Sequence, residues 1–379
     1  MQIRNALFSV SVLVLAPVAC GTPKADTATP EPAPAPAPAP VAKPAAKPIP
    51  DGFFSITPQL TVKGVDAAVD FYAKAFGATK VYSMAGPDGK TMHAEVKIGD
   101  SIVFVDEEMN GTKSPLTLGG TPATLMLYVA SADTTYATAT AAGAKAEMPL
   151  EDQFWGDRYG HVVDPFGHRW AISTHIEELT PEQTQQRAAL AFAPADKKAK
   201  KAKPAKGKPA EPAWKKIAGT PAKSPIPDGY HTVTLALVVP KAAEIIDFYK
   251  AAFGAVETER MPSPDGKIMH AGLDLGTSKL MLSDEFPEMG AKSALTLGGS
   301  PVALHFYVND ADAQFNKATS AGGKAAMPLT DMFWGDRYGG VIDPAGFFWG
   351  VATHKEDLTP EQIGERMKAA MAQQPKPTT

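Results

Sequence analysis

The sequence predicts an α+β fold in which one module is written twice, and three observations support this prediction. First, the segment Phe-Trp-Gly-Asp-Arg-Tyr-Gly occurs at residues 154–160 and again, unchanged, at residues 333–339. Second, strand-like alternation and helix-like periodicity follow one another in the order β-α-β-β-β. Third, this order occurs twice within each copy. We therefore expect two tandem modules, each containing two βαβββ units.

The first half of module one contains a strand, a helix and three further strands. In order, these predicted elements are residues 56–62, 65–76, 81–84, 92–98 and 101–106. Gly77 is a helix stop signal, and the Pro-Asp-Gly sequence at 87–89 favours a hairpin turn.

The second half of module one repeats this order. Its predicted strand, helix and three strands are residues 124–129, 132–142, 144–148, 158–164 and 169–174. Between the halves, the segments that begin at Lys113 and Lys292 share the pattern Lys-Ser-x-Leu-Thr-Leu-Gly-Gly and are expected to be loops. After each module, Thr180 or Thr359 opens a Thr-Pro-Glu-Gln capping box, which predicts a terminal helix.

Composition narrows the possible functions. The formal net charge of −4 gives no general reason to expect nucleic acid as a partner. Cys20 is the single cysteine, so an intrachain disulfide and a cysteine-based zinc cluster are both excluded.

The N-terminus has the pattern of an export signal. Arg4 precedes an apolar run at residues 6–18, which is short for a membrane span. The segment resembles a bacterial lipoprotein signal, with residues 1–19 removed and Cys20 lipidated, although Pro17 stands where such signals usually carry leucine. We therefore expect an exported protein, lipid-anchored in the bacterial envelope and facing the periplasm. An ordinary secretory signal with an incidental cysteine is the alternative.

Proline-rich and alanine-rich stretches separate the expected domains. These are a tether at 20–49, module one at 50–187, a Lys/Ala/Pro-rich linker at 188–226, module two at 227–372 and a tail at 373–379. Such stretches favour extended spacers. The lysines of the linker favour either a solvated connection or a patch for anionic lipid or cell-wall polymer, and Trp214 within it is expected to dock on a module.

Several local motifs resemble one known family. They include Asp-Phe-Tyr at 70–72 and 247–249, followed by Phe-Gly-Ala at 76–78 and 253–255, and Asp-Pro-x-Gly before the last strand of each module. Together with the βαβββ order, they resemble the vicinal oxygen chelate superfamily. Its members include glyoxalase I, bleomycin-resistance proteins, fosfomycin-resistance enzymes and extradiol dioxygenases. The Trp-Gly-Asp-Arg and Thr-His-x-Glu motifs are similar to its PhnB-like branch.

The resemblance implies that each pair of units forms a curved mixed sheet with helices on its outer face and a ligand cup on its inner face. Alternation along the strands then indicates which side chains face the cup. These inward-facing candidates for ligand contact are His93, Glu95, Phe104, Met126, Tyr128, His270, Met281, His305 and Tyr307.

Metal-binding members of the family supply ligands from the first and fourth strands of each half. The resemblance places those positions on Thr57, Phe104, Thr124 and Ala171 in module one, and on Thr234, Met281, Ala303 and Gly350 in module two. None carries a side chain suited to zinc, nickel or iron. A two-residue shift of register adds Asp106 or Ser173 to module one and His305 to module two, which still leaves fewer than three ligands per module. We therefore expect cups without a metal or other cofactor.

The remaining candidates are polar and aromatic side chains. His93 and Glu95 could form an acid–base pair, whereas module two has Gly272 in place of Glu95. Arg158 and Arg337 could bind an anionic ligand, or each could fix its own loop. An aromatic wall of the cups is expected from Trp155, Tyr159, Trp334 and Tyr338.

The sequence thus favours a lipoprotein whose two modules pair within the chain and bind a small organic molecule, in the manner of a sequestration or resistance protein. One alternative is an isomerase or lyase that uses His93 and Glu95 or a captured divalent metal. Another is an envelope-interaction protein that acts through its lysine-rich linker.

Overall fold

Both repeats contain strands and helices in the order predicted from the alternation of apolar and polar residues and from the turn sequences. The structure is a computed structural model that describes residues 46–86, 88–109, 111–193, 211–263 and 265–372. The predicted export signal, Cys20, most of the predicted tether, the lysine-rich centre of the linker and the tail lie outside the described residues. Within the described part of the chain, no helix is both long enough and apolar enough to cross a membrane.

The first repeat contains nine strands and four helices. They are β1 (Ile56–Val62), α1 (Val65–Phe76), β2 (Thr79–Ala85), β3 (Thr91–Ile98), β4 (Ser101–Glu107), α2 (Pro115–Leu118), β5 (Ala123–Tyr128), α3 (Ala132–Ala141), β6 (Lys145–Asp152), β7 (Asp157–Val163), β8 (Arg169–His175), β9 (Glu177–Glu178) and α4 (Pro181–Ala191).

The second repeat has the same plan. It contains β10 (Thr220–Pro221), β11 (Val233–Val239), α5 (Ala242–Phe253), β12 (Val256–Pro262), β13 (Ile268–Leu275), β14 (Ser278–Asp284), α6 (Ala294–Leu297), β15 (Val302–Tyr307), α7 (Ala311–Ser320), β16 (Lys324–Asp331), β17 (Asp336–Ile342), β18 (Phe348–His354) and α8 (Pro360–Ala372). The two segments expected to be loops each contain one helical turn, α2 and α6. The α+β fold class with two tandem modules is confirmed.

Two large mixed sheets are formed, and β9 pairs separately with β10. Each large sheet takes half of its strands from each repeat, whereas both units of one module were expected to share a sheet. Sheet A has the order β16-β17-β18-β15-β1-β4-β3-β2, and sheet B has the order β12-β13-β14-β11-β5-β8-β7-β6. At the centre of sheet A, β1 runs antiparallel to β15 and places Thr57 opposite His305. At the centre of sheet B, β11 runs antiparallel to β5 and places Thr234 opposite Met126. Backbone hydrogen bonds therefore join the two repeats at the centre of both sheets.

The helix-covered faces hold the two halves of each repeat together. Trp170 of β8 is fully buried, and its Nε1 donates to Asp164 in the turn that precedes that strand. The same carboxylate accepts from the hydroxyl of Tyr72 on α1, at 2.9 Å. Because α1 covers sheet A and β8 belongs to sheet B, this buried network connects the sheets, and Trp349, Asp343 and Tyr249 reproduce it in the second repeat.

The described end of the linker packs on module one. Trp214 is buried, and the guanidinium of Arg187 on α4 lies 5.3 Å from the centre of its ring. The neighbouring Lys215 donates to Asp152 at the end of β6, at 2.7 Å. The expectation that Trp214 docks on a module is confirmed.

Candidate functional site

Each sheet has a face opposite its helices, named cup A in sheet A and cup B in sheet B. In cup A, β3 and β4 bring a polar cluster together. Nδ1 of His93 lies 2.6 Å from Oδ1 of Asp106, and Nε2 of Gln59 donates to the other Asp106 oxygen at 2.6 Å. On the other side of the ring, Glu95 lies 3.7 Å from Nε2 of His93. Burial alone would lower the pKa of His93, but hydrogen bonds to Asp106 and Glu95 outweigh it and raise this pKa to about 9.

A second imidazole lies deeper in cup A, within an aromatic cluster. The His305 ring centre lies 4.5 Å from that of Tyr307, 5.3 Å from Phe104 and 5.4 Å from the nearly parallel ring of Tyr338. His305 is 6% exposed, and burial lowers its pKa to about 4. Its Nε2 atom is buried without a hydrogen-bond partner. Phe104 lies between this imidazole and His93, whose ring centre is 5.2 Å from its own.

Asp336 fixes the aromatic wall of cup A. One of its oxygens accepts from the Tyr307 hydroxyl and from Nε1 of Trp334, both at 3.1 Å. The other oxygen lies 2.8 Å from Nδ1 of His354. Gly350 leaves room for this wall, because a methyl group at that position would collide with the Tyr338 hydroxyl. The wall is thus positioned by buried hydrogen bonds and not by packing alone.

A short segment of the chain covers each cup. Residues 48–53, here called strap A, are held by the Pro48 carbonyl, which accepts from the His354 backbone at 3.0 Å. The ring of Phe53 then lies 5.9 Å from Phe104 and 5.6 Å from Tyr307, centre to centre. Strap B, residues 225–230, is attached in the same way to His175 and covers cup B.

Cup B has the same frame but a different lining. Its centre is a cluster of Met126, Tyr128, Ala171 and Met281, against which Tyr230 of strap B packs. Around that centre, His270 lies 3.2 Å from Glu259, the Tyr159 hydroxyl contacts Nε2 of His161, and Trp155 packs edge-on against Tyr159.

Three polar groups of cup A are replaced in cup B, although His93 keeps a counterpart there in His270. Strand registers match Gln59 with Ala236, because the former lies beside Phe104 and the latter beside Met281. By the same registers, Asp106 corresponds to Ser283 and His305 to Met126. At each of these positions, the residue found in cup B is therefore a suitable substitution for the residue found in cup A.

The structure does not bring the two candidate arginines into the cups. Arg158 alternates with Tyr159 along β7 and so points to the opposite face. Its guanidinium makes two hydrogen bonds to Asp133 in the first turn of α3, the shorter one at 2.7 Å. Arg337 makes the same pair of bonds to Asp312. Both guanidinium groups therefore hold a helix N-terminus to a strand, and their predicted contact with a ligand stays a prediction.

The residues of cup A do not fit the metal that the family implies. The four positions expected for ligands in sheet A are Thr57, Phe104, Ala303 and Gly350. Asp106 and His305, which were assigned to different modules, do share cup A, but Asp106 already accepts from Gln59 and His93. Among the described residues, no three or more His, Cys, Asp or Glu side chains are grouped so that they could hold a metal ion.

Two features of the site were not predicted, although the sequence carries a signal for each. Pro-Ile-Pro-Asp-Gly occurs at residues 48–52 and again at 225–229, just across the predicted start of each module. This repeat marks the two straps. Alternation places Asp106 on the inner face, and the two-residue turn between β3 and β4 sets it opposite His93, which is the signal for the bond between them.

Comparisons with known proteins identify chains that are similar to this one. An uncharacterized protein from Mycobacterium bovis is 43% identical over 141 residues, which cover 36% of this chain and 90% of that protein. An uncharacterized protein from Arabidopsis thaliana is 30% identical over 129 residues, which cover 32% of this chain and 76% of that protein. The crystal structure of glyoxalase I from Zea mays is 14% identical and aligns with a TM-score of 0.49 over 78% of this chain and 92% of the maize chain.

The family profile matches each repeat separately. The profile of the Glyoxalase/Bleomycin resistance protein/Dioxygenase superfamily matches residues 54–172 and 231–351, which together make up more than half of the chain. The chain therefore belongs to this superfamily and contains two of its modules in tandem.

Proposed function

We propose that this chain binds a small organic molecule in its cups and retains it without a metal, as a sequestration or resistance protein does. The observation that carries this proposal is the lining of cup A, where aromatic rings surround one buried imidazole. Apolar walls with a few fixed polar groups are typical of sites for small organic molecules. The superfamily to which the chain belongs includes bleomycin-resistance proteins by name.

The space between the two sheets is a poorer candidate for the binding site. A cavity of about 10 Å³ lies where β1 approaches β11, lined in part by Thr57, Ile102 and Thr234. A volume of this size holds about one water molecule. Binding of an organic molecule is therefore expected in the cups, after displacement of a strap.

The direct test is to identify what the full chain retains. The purified protein is unfolded, and the released small molecules are measured by mass spectrometry against a mock purification. Phe104→Ala and Met281→Ala are a matched pair, because these residues occupy equivalent positions in cup A and cup B. Retention of about one compound per occupied cup, lost in one of the two variants, is expected. Recovery of nothing above background, together with no thermal stabilisation by any compound of a broad library, would contradict the proposal.

The proposed location follows from the N-terminus and not from the cups. We infer that Cys20 is lipidated and that the PhnB-like modules face the periplasm on their tether. Mass spectrometry of the N-terminal peptide from bacterial membranes, compared with Cys20→Ser, tests this part separately. A soluble periplasmic protein with an unmodified Cys20 would exclude the anchor and leave the binding proposal unaffected.

A second candidate function is proton transfer in cup A. It is favoured by the bond between His93 and Asp106 and by the opposite pKa shifts of His93 and His305, because paired groups with separated pKa values are typical of general acid–base catalysis. In this reaction the neutral imidazole of His305 would remove a proton from a carbon atom of the ligand, while the imidazolium of His93 protonates the adjacent carbonyl oxygen. Incubation of the retained compound in D₂O tests the candidate, since deuterium incorporation that is abolished by His93→Gln is expected only of the enzyme.

A further inference from the structure

We propose that the two cups differ in function, and that cup A binds an uncharged aromatic compound whose hydroxyl group hydrogen-bonds to Nε2 of His305. This inference rests on the proposed small-molecule binding and adds the position and the chemical class of the ligand. Three independent features of cup A support it: the unpartnered nitrogen, the ring that already occupies the site, and the charges at its edge.

The unpartnered nitrogen indicates where the polar group of a ligand binds. His305 is 6% exposed, and its Nε2 has no hydrogen-bond partner among the described residues. A buried polar atom left in this state destabilises the folded protein, so a hydrogen bond from a ligand is favoured there. His305 contacts Phe104, Tyr307 and Tyr338, all of which lie on the inner face of sheet A, so its ring belongs to the cup. A hydroxyl group both donates and accepts, so it pairs with either tautomer of the neutral imidazole.

Phe53 indicates the shape of the rest of the ligand. Its ring belongs to strap A and not to the sheet, and it packs edge-on against Tyr307 and at a tilt against Phe104. The face of cup A thus accepts an aromatic ring supplied from outside the sheet. A ligand ring that replaces Phe53 would make the same contacts and would also satisfy His305, which a phenylalanine cannot do.

The charged, partly exposed side chains at the edge of cup A, here called its mouth, are His93, Glu95 and Asp106, and they disfavour an anionic ligand. His93, with its raised pKa, is a cation at neutral pH, and it is flanked by the carboxylates of Asp106 and Glu95. These three side chains are each about one fifth exposed, at 19%, 22% and 21%. One positive and two negative charges leave an excess of negative charge beside the opening, so a ligand carboxylate or phenolate would be repelled.

Cup B lacks the features that define this site. Met126 replaces the imidazole of His305, Ser283 replaces Asp106, and Gly272 replaces Glu95. A thioether is at most a weak acceptor. The aromatic frame is retained in Tyr128 and Tyr159, so cup B can contact an apolar ring. The imidazole of its His161 is already paired with the Tyr159 hydroxyl and is not free for a ligand hydroxyl group.

The test compares two probes and three proteins, each protein as the full chain. 2-Naphthol and naphthalene differ by one hydroxyl group, and their affinities for wild type, His305→Met and Met126→His are measured by fluorescence titration. Wild type is expected to prefer 2-naphthol by about tenfold, the factor that one hydrogen bond of roughly 1.4 kcal/mol provides. His305→Met should lose that preference while it keeps its affinity for naphthalene, which also shows that the variant is folded. Met126→His should gain a second site that prefers 2-naphthol.

An equal preference for 2-naphthol in wild type and in His305→Met overturns the inference, as does the absence of binding of both probes to wild type. The outcome of the retention experiment separates this failure from failure of the proposed function. A retained compound that is lost in Phe104→Ala, with no role for His305, leaves small-molecule binding intact and rejects only the chemistry assigned here.

Discussion

His93 and His305 are the same residue type in the same cup, yet their surroundings shift their pKa values in opposite directions. His93 has carboxylate partners on β3 and β4, and its pKa rises to about 9. His305 lies among aromatic rings, and burial lowers its pKa to about 4. The first imidazole is therefore charged and the second neutral at pH 7, and each makes its own contribution to the dependence of stability on pH.

The charged His93 stabilises the folded state at neutral pH. Its pKa of about 9 exceeds the value of about 6.5 expected in the unfolded chain, so its contribution is complete below that lower value and is lost as pH rises through about 9. We expect the free energy of unfolding of wild type to fall by on the order of 2–3 kcal/mol more than that of His93→Gln across this interval. Urea unfolding at several pH values measures it, and parallel curves for the two proteins would refute the assignment.

The control for this prediction is chosen from the ionisable groups that face His93. They are Asp106 on β4, Glu95 on β3, Tyr82 on β2 and, across Phe104, His305 on β15. Asp106→Asn removes the closest carboxylate but leaves the imidazole. It should lower the pKa of His93, which nuclear magnetic resonance reports directly from the ring nitrogens.

The neutral His305 has the opposite effect. The pKa of His305 is about 4 in the folded chain and about 6.5 in the unfolded chain. Between these two pH values the unfolded chain binds a proton at this residue and the folded chain does not, so stability falls as the pH is lowered. Wild type should lose on the order of 3 kcal/mol of stability from this source over that interval, and His305→Met should be spared the loss. Met126→His is the matched addition and should make cup B sensitive to acid. An acid transition that is unchanged in both variants would show that burial does not depress this pKa.

At the scale of elements, the straps cover the cups, and we expect them to control the entry of a ligand. Strap A is attached by one backbone hydrogen bond at Pro48 and by the packing of Ile49 and Phe53 against the aromatic wall, so its release breaks few polar interactions. We expect Phe53→Ala to raise the affinity of cup A for 2-naphthol about tenfold, since the ligand no longer competes with the half-buried ring of Phe53. Tyr230→Ala in strap B should leave that affinity unchanged and serves as the control. Weaker binding in Phe53→Ala would instead mean that the strap forms part of the ligand wall.

The boundaries of most elements could be predicted because they depend on local chemistry. β1 and α1 agree with their predicted limits, and Gly77 adopts a φ of 69° at the end of α1, where glycine is favoured. The predicted capping box at Thr180 forms both of its hydrogen bonds. The helical turns α2 and α6 were missed, since four residues are too few to establish a period.

At the scale of the whole molecule, the sequence could not indicate which strands pair at the centre of each sheet. Alternation assigns a residue to one face of a strand but not to a neighbour, and β1 could equally pair with β5 of its own repeat or with β15 of the other. The structure has β1 beside β15. That choice brings His305 of the second repeat to Phe104 and Asp106 of the first, which no comparison within one module could have revealed.

The exchange of halves predicts how one repeat behaves alone. In residues 46–193, β1 and β5 each lose an antiparallel partner strand with five paired residues. A second copy of the same fragment offers the equivalent strands, so we expect a two-fold dimer in which β1 of one copy pairs with β5 of the other. Analytical ultracentrifugation of the fragment measures its mass.

A disulfide distinguishes this dimer from a fragment that closes on itself. Thr57 lies opposite His305 in sheet A of the full chain. In the isolated repeat, Met126 is the residue equivalent to His305, so Thr57→Cys combined with Met126→Cys places two thiols on opposite strands. Directly opposed residues of antiparallel strands lie about 4.5–5.5 Å apart, within reach of a disulfide. The fragment contains no other cysteine. If the halves are exchanged between copies, oxidation should therefore produce a covalent dimer. A disulfide-bonded monomer would instead show that β1 can pair with β5 of its own repeat. In that case the exchange seen in the full chain depends on the linker.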